Sequence, residues 1–326
     1  MVIMWRSAKV MSGCNARFAM EAFHMSDWKT EFKEHLLSGN IKQADEIKNK
    51  HVNRHFYIYR SFNADRFWVD WAKGKIRAGS PKKFNDPFDC LLTITKETNK
   101  KVMIDNLKIT LSQFVKLSKI DISRLELSDD PREALHTILK QRGKKIDRAT
   151  IDANLDFESA AERIDHFFRE ICKITCFSEK NDSILMWSHY SKNHQGFCIE
   201  YDFSNHPEIS KLLYPVIYDE KRAILLPHHI EREEWHLFSI LCKALEWKYE
   251  SEWRYVNAVN PKKRKDVDEA IVLTAPDTIK TIYLGVDATK YNSDSVAELK
   301  GIAKGLNIQV YEMQFDDSSY RLTVKR

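Results

Sequence analysis

Glycine and proline are scarce in this chain, nine and eight among 326 residues, and that scarcity excludes two common architectures. Neither G-x-x-x-x-G-K-[ST] nor G-x-G-x-x-G occurs, so both familiar backbone cradles for phosphate are missing and P-loop and dinucleotide-fold readings lose their main support. No internal repeat or low-complexity tract is visible. There is no run of 18 or more apolar residues, so no membrane-spanning helix and no membrane partner are expected. The opening MVIMWRSAKVMSGCNARFAM is interrupted by Arg6, Lys9 and Arg17 before a signal-type apolar region develops, which points to a cytoplasmic protein. Six cysteines, at 14, 90, 172, 176, 198 and 242, include no CxxC pair. Cys172 and Cys176 are four apart with no matching pair downstream, so reduced, buried thiols are expected rather than disulfides or a metal site.

Strong charge of one sign is also missing. Lys and Arg exceed Asp and Glu by five, below the excess that by itself marks a nucleic-acid binder. The basic residues are nonetheless patchy. Lys262 to Lys265 form one run and QRGKKIDR at 141–148 another; each is a solvated face or a phosphate-contacting patch.

Hydrophobic content of 43 % fits a globular protein with a substantial core. The first 25 residues have no clear period and read as an arm. DWKTEFKEHLLSG and IKQADEIKNKHV then predict a helical hairpin, giving an N-terminal extension over residues 1–52 and one α+β domain over 53–326. Within that domain HFYIYRSF predicts a strand, ADRFWVDWAKG a helix and KIRAGSP a second strand. Residues from about 100 to 170 are dominated by helical periodicity and read as an insertion: VMIDNLKITLSQFVKLSKI, then REALHTILKQR, started by Asp130 and Pro131, and IDANLDFESAAERIDHFFREICK. WHLFSILCKALEW predicts a helix, and several strands close the chain. Helices and strands mix without βαβ regularity, which argues for a mixed, largely antiparallel sheet.

Three segments concentrate polar chemistry among aromatics. The first is Ile174 to Phe203, ITCFSEKNDSILMWSHYSKNHQGFCIEYDF, a strand, a short helix ended by Gly196 and a second strand. On its helix Met186, Trp187 and Tyr190 fall beside Ser188, His189 and His194. Such a helix is either core or the wall of a site. The second is FNDPFDC at 84–90, where Asn85, Asp86 and Pro87 encode a turn and Asp86 and Asp89 add carboxylates. The third is EWKYESEWRYV at 246–256. Tyr59 and Arg60 on the first strand, Ser80 on the second, and Glu250 and Glu252 at the opening of the strand WRYV would suit nucleotide chemistry. An arginine can grip a pyrophosphate with two N–H groups, and a carboxylate can stabilise an oxocarbenium-like transition state. The alternative is that Glu252 pairs with Arg254 or Lys248 and Arg60 with a structural partner. A histidine site from His228, His229 and His236 lacks matching ligands, and no metal is expected.

FYIYRS, SPKKFNDPFDC, CFSEKNDSILMWSHYSKNHQGFCIEYD and KYESEWRY together resemble a bacterial family known as a domain of unknown function, marked by FNDPFD, MWSHY and ExEWR motifs over about residues 55 to 320. More distantly, the order of Arg strand, helix, Ser-bearing strand, helical stretch and late Glu is similar to the ADP-ribosyltransferase superfamily, particularly the DNA-targeting toxins of the DarT type. That second resemblance implies an ADP-ribosyltransferase-like sheet and NAD as substrate. It implies that Arg60 holds NAD, that Ser80 or Tyr59 braces it, that Glu252 is the catalytic carboxylate with Glu250 beside it, and that Trp187 and Tyr190 stack on nicotinamide or an acceptor base. Asn85, Asp86, Asp89, Ser188 and His189 are further pocket candidates. The role implied is a toxin or anti-phage defence effector modifying nucleic acid or protein, with an antitoxin or defence-system partner. Two other functions stay open. One is a non-catalytic module that recognises a nucleotide or a partner; the other is a nuclease using Asp86, Asp89 and Glu200 around a divalent ion.

Overall fold

The computed structural model of the protein describes residues 28–91, 93–111, 115–144, 169–225, 233–258 and 271–325. The N-terminal arm, most of IDANLDFESAAERIDHFFREICK, part of the 141–148 basic run, His228, His229, the side chain of His236 and the run Lys262 to Lys265 lie outside them. The chain divides into two compact units, Met1–His51 and Val52–Arg326. In the first, helices Trp28–Ser38 and Ile41–His51 are joined through Gly39 at φ 83°. That left-handed turn lets Gly39 and Asn40 donate back to the carbonyls of Leu36 and His35, closing the first helix. The rings of Trp28 and His51 stack 4.6 Å apart at the open end of the hairpin.

The second unit is built on strands β1 (His55–Arg60), β2 (Lys75–Ala78), β3 (Thr93–Ile94), β4 (Cys172–Ser178), β5 (Phe197–Asp202), β6 (Leu213–Pro215), β7 (Ile217–Asp219), β8 (Ile224–Leu225), β9 (Cys242–Ala244), β10 (Glu252–Ala258), β11 (Ile271–Thr274), β12 (Ile279–Leu284), β13 (Gln309–Phe315) and β14 (Leu322–Val324). Eight of them form one sheet in the order β14-β13-β12-β5-β1-β4-β10-β6. Its pairs are antiparallel except β12 with β13, which run parallel around the helix Ser293–Gly305. The molecule is therefore mixed α+β with a largely antiparallel sheet. β5 is buried at every residue, because both of its faces are covered. On one face Phe56, Phe177, Tyr201, Phe203 and Trp253 make an aromatic layer of mostly edge-to-face contacts, a geometry that ring quadrupoles favour. On the other, Tyr59, Cys198, Tyr283 and Met313 pack with Met186 and Trp187 of the helix Ile184–Tyr190.

One break in this sheet positions everything that follows. β1 pairs with β5 at all six of its residues but with β4 only at Tyr57–Ser178, while β4 pairs with β10 along all seven of its residues. From Ser178 back toward Cys172, and from Tyr57 on toward Arg60, the two halves of the sheet diverge. Where β1 has moved away, Gly79 takes its place and exchanges backbone hydrogen bonds with Ile174 at 2.8 and 3.0 Å.

The insertion carries helices Lys96–Leu111, Lys119–Leu127 and Pro131–Gln141, with a core of their own around Ile104, Leu125, Leu135 and Leu139. VMIDNLKITLSQFVKLSKI is not one helix. Ser118 and Asp121 form a reciprocal cap that starts a new one at Lys119, satisfying the first free N–H groups. The expected helix WHLFSILCKALEW is also shorter. It stops at Leu241 because Cys242–Ala244 pairs in parallel with Ile217–Asp219, and a 3-10 turn, Leu245–Glu250, leads into β10.

Candidate functional site

The divergence of β1 from β4 opens a cavity of about 510 Å³, within the range that holds small-molecule and nucleotide ligands. Tyr59, Arg60, Ser80, Asn85, Asp89, His189, Tyr190, Glu250 and Glu252 all line it. Trp187, Ser188 and Asp86 do not line it. Trp187 is wholly buried, with its indole N–H donating to the Asn181 carbonyl at 2.7 Å. It faces inward because Ser183 caps the helix at Met186, which turns Met186 and Trp187 onto the sheet. The Ser188 hydroxyl donates to the Ile184 carbonyl in its own helix. Asp86 accepts from the Phe88 N–H at 2.8 Å and holds the turn. Ser80 is not on a strand: it caps a 3-10 turn, Pro81–Lys83, and donates to the Arg169 carbonyl at 2.8 Å.

The inner wall is a buried cluster of five charges. Arg254 donates through Nε to Glu252 Oε1 at 2.8 Å and through a terminal nitrogen to both oxygens of Asp89 at 2.8 Å. Its other terminal nitrogen reaches the Ile240 carbonyl at 2.6 Å, and its guanidinium lies 5.5 Å from the Phe84 ring centre. Lys243 donates to Glu250 Oε2 at 2.5 Å and Glu252 Oε2 at 2.8 Å, and stands 3.6 Å from Asp89. The Tyr190 hydroxyl donates to Glu250 Oε1 at 2.5 Å, and Asn85 faces the same hydroxyl. The three sequence motifs thus meet in one network: Asn85 and Asp89 from FNDPFD, Tyr190 from MWSHY, and Glu250, Glu252 and Arg254 from ExEWR. Glu252 does pair with Arg254, but inside the protein rather than across a surface.

Backbone geometry makes this convergence possible. Ser251 sits at φ 45° between the two glutamates, a left-handed conformation that costs a non-glycine residue of order 1–2 kcal/mol. It joins the 3-10 turn that ends at Glu250 to β10, which starts at Glu252, and both glutamates reach Lys243. The junction is pinned on three sides. Ser178 donates to the Glu250 carbonyl at 2.6 Å, Glu179 N–H to the Ser251 carbonyl at 3.1 Å, and the Glu252 N–H to the Tyr218 hydroxyl at 2.8 Å.

The two glutamates differ in charge preference although they share one lysine. Burial favours the neutral acid at both. At Glu252 the Arg254 and Lys243 cations outweigh it and hold the carboxyl well below the usual range. At Glu250 burial and the repulsion of Glu252 prevail over Lys243 and push its carboxyl up. Two carboxyls whose surroundings drive them apart are a recurring arrangement in acid–base sites. Arg60 is the opposite case. Its guanidinium stacks 4.0 Å from the Trp71 ring and donates to the Tyr59 carbonyl at 2.9 Å. It makes no ion pair among the described residues, and burial lowers its pKa. A cation left without a counter-ion in a cavity wall is suited to an anionic ligand.

Glu200 belongs to a separate group, accepting from the Tyr283 hydroxyl at 2.6 Å and lying 2.7 Å from His55 Nδ1. Asp86, Asp89 and Glu200 are therefore each held by different partners. Among the described residues no three His, Cys, Asp or Glu side chains stand close enough to share a metal ion, and no helix among them is long and apolar enough to cross a membrane. The sequence reading missed Lys243. Its signal was there: a single lysine inside the apolar run FSILCKAL, where an unpaired ammonium is rarely buried.

A family model described as a protein of unknown function, DUF2971, matches residues 186–255. That stretch holds Tyr190, Lys243, Glu250 and Glu252 of the cavity lining, and Arg254 behind them. No curated protein and no solved structure matches the chain.

Proposed function

We propose that the protein is an ADP-ribosyltransferase that cleaves NAD and passes the ADP-ribosyl group to nucleic acid or protein, in the setting of a toxin or anti-phage defence effector with its own antitoxin or partner. The observation that carries the proposal is the split sheet. One cavity has an arginine without a counter-ion in one wall and a paired set of glutamates in another, as a dinucleotide with an anionic diphosphate and a ribosyl centre that turns cationic requires. The antiparallel sheet parted at its middle is the feature that supports an ADP-ribosyltransferase-like fold.

In this scheme Arg60 holds the diphosphate through charge-assisted N–H bonds. Tyr59 and Ser80 shape the same wall. When the bond from ribose C1′ to the nicotinamide nitrogen breaks, its electron pair leaves with nicotinamide, which becomes neutral, and positive charge develops on the ribose. Glu252, kept ionised by Arg254 and Lys243, stabilises that charge electrostatically. Glu250, whose carboxyl burial and the Glu252 charge push up, is the general base in this scheme. It takes the proton of the acceptor group as that group attacks C1′.

Released nicotinamide, measured on incubating the protein with NAD alone and with single-stranded DNA, RNA or protein acceptors, tests the proposal. Glu252→Gln, which keeps the side-chain shape, should lower release by roughly 10²-fold or more, the scale seen when one electrostatic stabiliser is removed. Wild-type protein that is folded and releases no nicotinamide with any acceptor overturns the transferase. The saturation of Glu252 by Lys243 and Arg254 favours a second reading, a nucleotide-recognition module. Saturable NAD or nucleotide binding that depends on Arg60, with no turnover, would select it.

A further inference from the structure

Five charged groups are sealed together beneath the cavity, and their division is unequal. Arg254 serves Asp89 and Glu252 and makes no contact with Glu250. Glu250 has one cation, Lys243, at 2.5 Å. Lys243 is itself buried. Its position on β9 is fixed by the parallel pairing of Tyr218 with Lys243, and its ammonium lies 5.0 Å from the Trp247 ring centre. Burial and three neighbouring carboxylates hold the ammonium there, so it is a fixed part of the site rather than a wandering surface charge.

We propose that Lys243 is the positioning residue of this site: its ammonium, shared between Glu250 and Glu252, holds the two carboxylates side by side in the cavity wall. The inference rests on the transferase reading for its catalytic meaning, while the electrostatic part stands on the geometry alone. Glu250 sits in a cluster with few other charged or titratable groups. Tyr190 reaches it from the helix Ile184–Tyr190, Glu252 and Arg254 lie on β10, and Tyr218 lies on β7. Tyr249 precedes it in the 3-10 turn, Asp89 and Cys90 lie on the FNDPFDC turn, and Cys176 lies on β4. Of these only Arg254 is another cation, and it is committed to Glu252 and Asp89. Without Lys243, burial and the Glu252 charge would act on Glu250 unopposed. Glu250 would hold its proton to higher pH and could no longer accept one from the acceptor.

The test compares Lys243→Met, which keeps the stem and removes the charge, with Lys243→Arg, which keeps the charge. In kcat/KM for nicotinamide release against pH, the acid limb should move up by roughly 1–3 pH units in Lys243→Met, the usual effect of losing a neighbouring opposite charge, and stay near the wild-type position in Lys243→Arg. A readout without NAD separates this inference from the transferase reading. Raised carboxyl pKa values mean that the folded state binds the proton more tightly than the unfolded chain, so stability is lost as pH rises from the unfolded value toward the folded one. The Tm gap between Lys243→Met and wild type should therefore widen from about pH 5 to pH 8. Adding Glu250→Gln to Lys243→Met should close most of it. A gap that does not change with pH, or a double variant no more stable than Lys243→Met, overturns the proposal and leaves Lys243 a packing residue. Wild-type protein that releases no nicotinamide while the pH-dependent gap appears overturns the transferase reading only.

Discussion

Arg254→Met is the perturbation whose size the structure fixes best. The wild-type cluster sets three carboxylates, Asp89, Glu250 and Glu252, against two cations. Arg254 is 0 % exposed, so water cannot replace it when it is removed. Met fills the volume of the stem but leaves three buried carboxylates against Lys243 alone, and also strips a donor from the Ile240 carbonyl. Removing one partner of a buried pair costs about 3–5 kcal/mol, a large share of the roughly 5–15 kcal/mol that holds a domain folded. Urea unfolding at pH 7 should show the loss as a lower midpoint. The sign with pH follows from Glu252, whose carboxyl is held below its usual range. Its contribution is complete above the unfolded value, about 4.3, and disappears as pH falls through the lower folded value. The penalty of Arg254→Met should accordingly shrink below about pH 4. Adding Asp89→Asn should recover part of it, since residues in one network couple by about 0.5–3 kcal/mol. A loss under about 1 kcal/mol at pH 7, or strict additivity of Arg254→Met with Asp89→Asn, would refute the claim that this cluster is one electrostatic unit.

Three further outcomes follow from the surroundings of the site. A Cβ on Gly196 would stand 2.0 Å from the Arg60 carbonyl oxygen, a backbone atom that cannot rotate away. Gly196→Ala should therefore cost at least about 1–3 kcal/mol by thermal or urea unfolding and weaken binding of any ligand that Arg60 holds. Lys192, Asn193 and His194 occupy three consecutive left-handed positions at φ 51°, 54° and 63°. Relieving the exposed first of them with Lys192→Gly should gain roughly 0.5–1 kcal/mol after glycine's greater unfolded freedom is subtracted, and a loss of stability would count against the strain. Burial favours the neutral acid at Asp202, but the Ser204 hydroxyl and N–H, Arg54 and Lys280 bring its pKa down to about 2. Its stabilisation is present above about pH 4 and lost as pH falls toward 2, so Asp202→Asn should be less stable than wild type at pH 7 and equal to it near pH 2.

The sequence was informative where chemistry is local. The turn chemistry of FNDPFDC and the strand content of HFYIYRSF and IEYDF describe contacts within a few residues, and the structure has them, whereas the helix expected to run to Gly196 stops at Tyr190 with Ser191 as its cap. It was misleading where a distant partner decides. FSILCKALEW has helical periodicity, yet Cys242–Ala244 is drawn out of the helix by Ile217–Asp219 and by three carboxylates from other parts of the chain. Trp187 has the composition of a stacking residue, but the Ser183 cap sets the phase of its helix and turns the ring into the core. Ser80 follows a strand in sequence and caps a turn in space.

The cavity itself was the least legible feature, because it arises from a missing contact rather than a residue. β1 is held by β5 along its whole length and β4 by β10 along its own, so each is anchored by one edge while the two pair with each other only at Tyr57–Ser178. Gly79 then supplies a backbone partner for Ile174, as a buried N–H and C=O require. Polar groups that face such a gap have no strand neighbour to cover them. Either they pair among themselves, as Glu250, Glu252, Lys243, Asp89 and Arg254 do, or they stay without a counter-ion, as Arg60 does. A sheet that closed over the same residues would have had to bury the Arg60 charge against apolar side chains. The parted sheet instead leaves that charge facing a space of ligand size, which is why binding at Arg60 and the integrity of the five-charge cluster should fail separately under mutation.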